Sequence, residues 1–311
     1  MRIQLPLALL AAALACSVTT APAHAQRARV FVASYGNDSN PCTFGSPCKT
    51  FQNAVNVVAA GGEVTAIDSA GFGTVTITNK SVSITSPNGV EAGIAVPSGG
   101  TGITINAGPN DAVHLQGLLI DGAGIGQTGI VFHSGASLTI ENSVIRNLTS
   151  SGIAISPSSF SVATVSSTLV VNNGGNGIFV QPASGGSVNA VFNRVEVYGN
   201  TQQGIAIFGN FDTTGLVRAT AIDCVAANNE NGFFAQGNNV IANTILRVIR
   251  STAFNNINGV NAIDSALIIV SHSNLEDNSP NWVQSSGGSV LSYGDNSTDG
   301  VARPGGFVNL Q

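Results

Sequence analysis

Hydrophobic and polar residues alternate along most of this chain in runs of only four to six positions, and the runs return at a nearly fixed interval. Seven of them open on glycine: Gly102-Ile-Thr-Ile, Gly129-Ile-Val-Phe, Gly152-Ile-Ala-Ile, Gly177-Ile-Phe-Val, Gly204-Ile-Ala-Ile, Gly232-Phe-Phe-Ala and Gly259-Val-Asn-Ala. They begin 27, 23, 25, 27, 28 and 27 residues apart. Alternation with period two marks short strands that bury one side. A second set of β-branched stretches precedes them, including Ser137-Leu-Thr-Ile-Glu, Ala163-Thr-Val-Ser, Asn189-Ala-Val-Phe and Leu267-Ile-Ile-Val. Between the two sets an asparagine recurs, at Asn147, Asn172, Asn200, Asn229, Asn256 and Asn278. Each repeat therefore reads as strand, polar turn with Asn, glycine, strand, and a loop rich in Ser, Gly and Asn. No stretch of helical period separates the strands, which excludes βαβ units. Self-similarity at this period predicts a solenoid.

Leucine-rich repeats share the period and the asparagine, but they need Leu at several fixed positions. Here those positions hold Ile, Val, Phe and Ala. The predicted fold is all-β: a right-handed, single-stranded parallel β-helix with a short N-terminal capping helix. Like residues then stack from coil to coil about 4.8 Å apart. Asparagines stacked at a turn can pair their amides along the axis, and glycine just after them is expected to supply positive φ at a tight corner. Glu63 to Ser289 leaves room for eight or nine coils. Both ends of such a rod need covers. Apolar residues at 51, 54, 55, 58 and 59 predict a helix over Thr50–Ala60, stopped by Gly61-Gly62. The divisions expected are 1–25 signal peptide, 26–62 N-terminal cap, 63–290 β-helix and 291–311 C-terminal cap or tail.

Composition narrows the class further. Of 311 residues only 9% are charged, 37 are Gly and 43% are hydrophobic. That excludes a disordered chain and a helical bundle. The net charge is −5 and no basic cluster occurs, so nucleic acid is not an expected partner. Arg2, the apolar run Leu5–Ala15 and Ala23-His24-Ala25 form a secretory signal pattern, with cleavage near Ala25. The run is too short for a transmembrane segment. A secreted or periplasmic location follows. In that oxidising setting Cys42 and Cys48, six apart in a Pro/Gly-rich loop, are expected to form a disulfide. Cys224 reads as a small buried apolar residue. No cofactor or metal is expected, since His114, His133 and His272 lack ligand spacing.

Val30-Phe-Val-Ala-Ser-Tyr-Gly-Asn-Asp-Ser-Asn-Pro-Cys42, followed by Pro47-Cys-Lys-Thr-Phe-Gln-Asn-Ala-Val55, resembles the opening of exported bacterial right-handed β-helix proteins of the pectin-lyase-like superfamily. Ala70-Gly-Phe-Gly-Thr-Val-Thr-Ile-Thr-Asn-Lys-Ser-Val-Ser-Ile84 resembles their early coils. The resemblance implies the same fold and a polysaccharide or cell-envelope glycan as partner. It leaves the activity open, because that superfamily includes lyases, hydrolases, esterases and epimerases. The motifs of its polygalacturonase-like members, Asn-Thr-Asp and Arg-x-Lys among them, do not occur here. The lysines are Lys49 and Lys80, which excludes a lysine base in the middle of the helix.

Counting six residues back from each turn asparagine gives Glu141, Ser166, Arg194, Asp223, Arg250 and His272. In register, these form one outward column. Arg194, Asp223 and Arg250 are the catalytic candidates, with Glu141, His272 and Trp282 as candidates for glycan contact. The competing readings are a surface ion ladder for the column and a core cover for Trp282. Two functions remain: a non-catalytic polysaccharide-binding or envelope-associated module, or a polysaccharide lyase or hydrolase with its active site on the β-helix face. Nothing in the sequence sets an oligomeric state.

Overall fold

The computed structural model describes residues 27–209, 215–238, 244–299 and 304–307. The signal peptide expected over 1–25 lies outside the described residues. Short strands with alternate residues buried need partners on both edges, and the chain supplies them by coiling. It passes in turn through three parallel sheets. Sheet 1 has 12 strands, from Arg27–Val32 to Gly306–Phe307. Sheet 2 has 10, from Ala70–Gly71 to Ser297–Thr298, and sheet 3 has 9, from Val75–Thr78 to Trp282–Ser285. One coil runs Ser137–Glu141, Val144–Arg146, Ile153–Ile155, and the next sheet 1 strand lies on the first, Leu138 beside Ala163.

Each coil thus holds three strands, where the repeats suggest two. Six of those in sheet 2 are three residues long, and five of the six bury one side chain, as Ile145, Val170, Val197 and Ala253 do. A single inward residue has no period to display. The solenoid is also longer than eight or nine coils, because strands of the cap, Arg27–Val32 and Val58–Ala66, already belong to sheet 1. Inward volumes balance within a coil. Phe233 is fully buried in the same coil as Ala219, Ala221, Ala226 and Ala235, which leaves room for its ring.

Helix α1 (Phe51–Val57) begins where Thr50 Oγ1 accepts the Asn53 amide at 3.2 Å. Phe51, Ala54 and Val55 bury its inner face, and the Phe51 ring meets Phe72 at 5.1 Å. The helix stops short of the expected Ala60. Val58 turns extended and pairs with Arg27, because β-branched Val57-Val58 gains a sheet edge there. Cys42 and Cys48 are joined by a disulfide.

Two of the three turns in a coil carry internal polar ladders. In the first, between sheets 1 and 2, Asn142, Ser167, Arg194, Asp223, Arg250 and His272 all take φ between 47° and 54°. The next residue points inward and is usually a hydroxyl. Ser251 Oγ donates to Ile249 O of its own coil (2.9 Å) and accepts the Cys224 amide of the previous one (3.1 Å). Ser143, Thr168 and Ser273 repeat the arrangement. Cys224 stands in this column, its thiol directed at Ile222 O and Phe192 O, and burial pushes its pKa up to about 11. Two outcomes follow. Cys224 resists alkylation until the protein is denatured, as intact-mass measurement would show. Cys224→Ser keeps both contacts and changes stability by less than about 1 kcal/mol in a denaturant melt.

The second turn, between sheets 2 and 3, holds the asparagines, one residue out of the expected register in two coils. Asn173, not Asn172, donates its Nδ2 to Asn200 Oδ1 (2.9 Å). Asn200 donates to Asn229 (3.0 Å), Asn229 to Asn256 (3.2 Å) and Asn256 to Asn278 (2.9 Å). Asn278 hands on to Asn281, whose amide donates to Asp299 Oδ1 at 2.8 Å. Asn147 and Asn172 occupy the preceding outward position instead, with φ of 56° and 57°, a conformation asparagine tolerates. Tandem pairs such as Asn172-Asn173 and Asn228-Asn229 hide which member turns inward.

The glycines that open the sheet 3 strands serve closeness, not positive φ. A Cβ on Gly152, Gly177, Gly204 or Gly232 would lie 2.7–2.8 Å from the carbonyl oxygen of the equivalent glycine one coil on.

Candidate functional site

Arg194, Asp223, Arg250 and His272 do stand in one column at the first turn, each exposed by the left-handed backbone that turns its side chain outward. Glu141 is not in it. It sits one residue earlier, paired with Ser166 in sheet 1, while Asn142 holds its coil's turn position. The slip has the same origin as that of Asn147. Glu141 instead faces His114, Nε2 to Oε2 3.4 Å. Within the column Arg250 grips Asp223 through two hydrogen bonds, 2.9 and 3.1 Å. Those bonds, with the charges of Arg250 and Arg194, hold the Asp223 carboxyl below its usual range. A carboxylate so paired is a poor proton acceptor. Trp282 is 8% exposed in the last strand of sheet 3, where its ring closes the core. It offers no face to a sugar.

The column borders a better-formed recess. On the outer side of sheet 1, Arg247, Ile249, Ile269, Ser271, His272, Tyr293 and Asp295 line a cavity of about 280 Å³. Strand alternation explains it. Arg247 and Ile249 project outward because Leu246 and Val248 are fully buried, and Arg247 stacks on Ile269 of the next coil. Asp295 fixes His272 twice, accepting the backbone amide at 3.1 Å and lying 3.0 Å from ring Nδ1. That leaves Nε2 for another partner. Arg247 forms no ion pair among the described residues. Tyr293 and Asp295 lie beyond Ser292, where the repeat loses its pattern and the sequence reads only as an irregular cover. Aligning Ser289-Val-Leu-Ser under Leu267-Ile-Ile-Val would have found them.

Four arginines, Arg194, Arg218, Arg247 and Arg250, face outward from sheet 1 or its first turn within three successive coils. This is a cationic band on a chain of net charge −5. Among the described residues no three His, Cys, Asp or Glu side chains converge as a metal site. Nor is any helix there long and apolar enough to cross a membrane.

The family model described as right handed beta helix region matches residues 42–221. No curated protein sequence matches the chain. Solved structures with this coil architecture include the following two. Pectate lyase Pel9A has a TM-score of 0.63 at 15% identity, covering 89% of this chain and 79% of its own. XylC in complex with xylose has a TM-score of 0.57 at 10% identity, covering 85% and 68%. At such identities the likeness is one of fold.

Proposed function

The chain belongs to the right-handed β-helix family, and from that premise we propose that it is an exported protein that binds an acidic polysaccharide along the outer face of sheet 1. The observation that carries this is Arg247, without an ion-pair partner among the described residues, inside a recess flanked by Arg218, Arg194 and Arg250. A guanidinium there can take a sugar carboxylate in bidentate fashion, and Tyr293 and the isoleucines give an apolar surface for the ring. The pectate lyase fold neighbour supports a glycan ligand, and the signal pattern and disulfide support export.

Titration calorimetry of the exported protein with polygalacturonate tests it. Binding is expected to weaken as salt rises, and Arg247→Ala should lose about tenfold in affinity, roughly 1.4 kcal/mol. Asp223→Asn removes an acid from the band, so it should bind no worse than the parent protein with an unchanged melting temperature. Absence of polygalacturonate binding at low salt would remove the reading.

The His272–Asp295 pair favours a second reading, β-elimination at the same recess. Arg247 would hold the uronate carboxylate, His272 Nε2 would accept the proton α to it, and Tyr293 would donate a proton to the departing glycosidic oxygen. The products would be one chain with an unsaturated end and one with a free hydroxyl. Unsaturated ends that appear with the parent protein and vanish in His272→Gln, while binding persists, would distinguish catalysis from binding alone.

A further inference from the structure

Sheet 3 carries aromatic rings on its outer side, where strand alternation leads one to expect small polar residues. Phe179, Phe208 and Phe234 lie on three successive coils, with ring centroids 5.0 and 5.3 Å apart. They differ from the five phenylalanines of the core, Phe51, Phe72, Phe132, Phe192 and Phe233, which are wholly enclosed. Phe234 is nearly covered by its neighbours, whereas Phe179 ends the row half-buried. The residue beneath it in the previous coil is Ala154, whose short side chain leaves the ring open on that side. The result is a cavity of about 470 Å³ beside the ring, walled by Thr128, Ser150, Ser151 and Gln202 at the coil turns. That volume is in the range of small-ligand sites.

The lining has no charged side chain. Hydroxyls, the two amides of Asn176 and Gln202 and turn backbone surround one aromatic floor. This is the chemistry that recognises an uncharged sugar, with its ring C–H groups over the aromatic face and its hydroxyls on short polar side chains. Coils about 4.8 Å apart present these groups at close to the spacing of successive sugar residues. We propose that this cavity is a second binding site, for a neutral glycan chain, separate from the cationic band on sheet 1. A charged uronate gains nothing here, since no cation faces it. The two sites would let one rod hold two chemically different polysaccharides.

Calorimetry of the exported protein with xylohexaose, cellohexaose and polygalacturonate tests the proposal. At least one neutral hexasaccharide is expected to bind. Phe179→Ala removes the floor and Ala154→Tyr fills the space. Each should weaken neutral binding by about tenfold or more while leaving polygalacturonate binding unchanged, and Arg247→Ala should do the reverse. Ala154→Tyr adds an outward side chain and keeps Phe179, so loss of binding in it does not reduce to misfolding if the melting temperature holds. The proposal falls if neither neutral probe binds, or if both variants bind as the parent does. It also falls if sedimentation shows a dimer that Phe179→Ala dissociates, for then a second copy covers the ring. None of these failures touches the sheet 1 reading, which rests on its own ligand.

Discussion

Gly204→Ala should be among the most damaging single changes available in this protein. The added methyl would lie 2.7 Å from the carbonyl oxygen of Gly232 and 3.0 Å from both Asn229 Nδ2 and Val197 Cγ2. The first of these is backbone, held by pairing on both sides. It cannot step aside without opening the interval between two coils. Overpacking of a tight interior costs about 1–3 kcal/mol, and a rigid backbone contact belongs at or beyond the upper end. Against that, alanine restricts the unfolded chain and returns only about 0.4–1 kcal/mol. The clash wins. A loss of about 3 kcal/mol corresponds to a fall in melting temperature on the order of 10 °C for a chain of this size. Gly45→Ala is the control: nothing lies within 4 Å of its Cβ and its φ is not positive. It should melt at or slightly above the parent temperature. A Gly204→Ala protein that melts with the parent would mean the coils are not this close.

The second large effect belongs to Asn200→Leu. Leucine keeps the branched outline but removes the acceptor of the Asn173 amide and backbone N–H, at 2.9 and 3.3 Å, and the donor to Val170 O at 3.3 Å. All lie inside the corner, where Asn200 itself is 1% exposed. An orphaned buried polar group costs about 1–3 kcal/mol. Three in one place, without strict additivity, put the loss at about 4 kcal/mol. Asn172→Gly provides the contrast. Asn172 is exposed with φ of 57°, and glycine already occupies the matching position at Gly199, so its effect should stay within about 0.5 kcal/mol. Denaturant melts of the two variants separate the inward register from the outward one. Equal melts would show the ladder to be misplaced.

The solenoid was legible because it is built from repetition: alternation identified two strands in each coil and glycine marked their spacing. What repetition could not show was anything carried by one residue. Five of the sheet 2 strands bury only a single side chain, so they passed as turn. Choosing Asn147 and Asn172 over their neighbours displaced Glu141 into a column that it does not share. The hydroxyl column was invisible because Ser143, Thr168, Cys224, Ser251 and Ser273 differ in name and agree only in where they point. The recess on sheet 1 escaped for a related reason. Tyr293 and Asp295 come from the last coil, where the pattern fades, and they meet Arg247 only after two further turns of the chain.

The row of asparagine amides has a direction. From Asn173 to Asn256 each Nδ2 donates toward the C-terminal side, and the relay through Asn278 and Asn281 delivers its final N–H to a carboxylate, Asp299. Amide dipoles lined up head to tail reinforce one another. The corner is therefore an electrically polar filament, with its positive pole at the C-terminal end. A negative charge sits where such a pole is best neutralised, and hydrogen bonds from Asn281 and from the Asp277 N–H hold the Asp299 carboxyl below its usual range. A stack of neutral side chains thus gives the ladder two unlike ends, and only the C-terminal one calls for an anion.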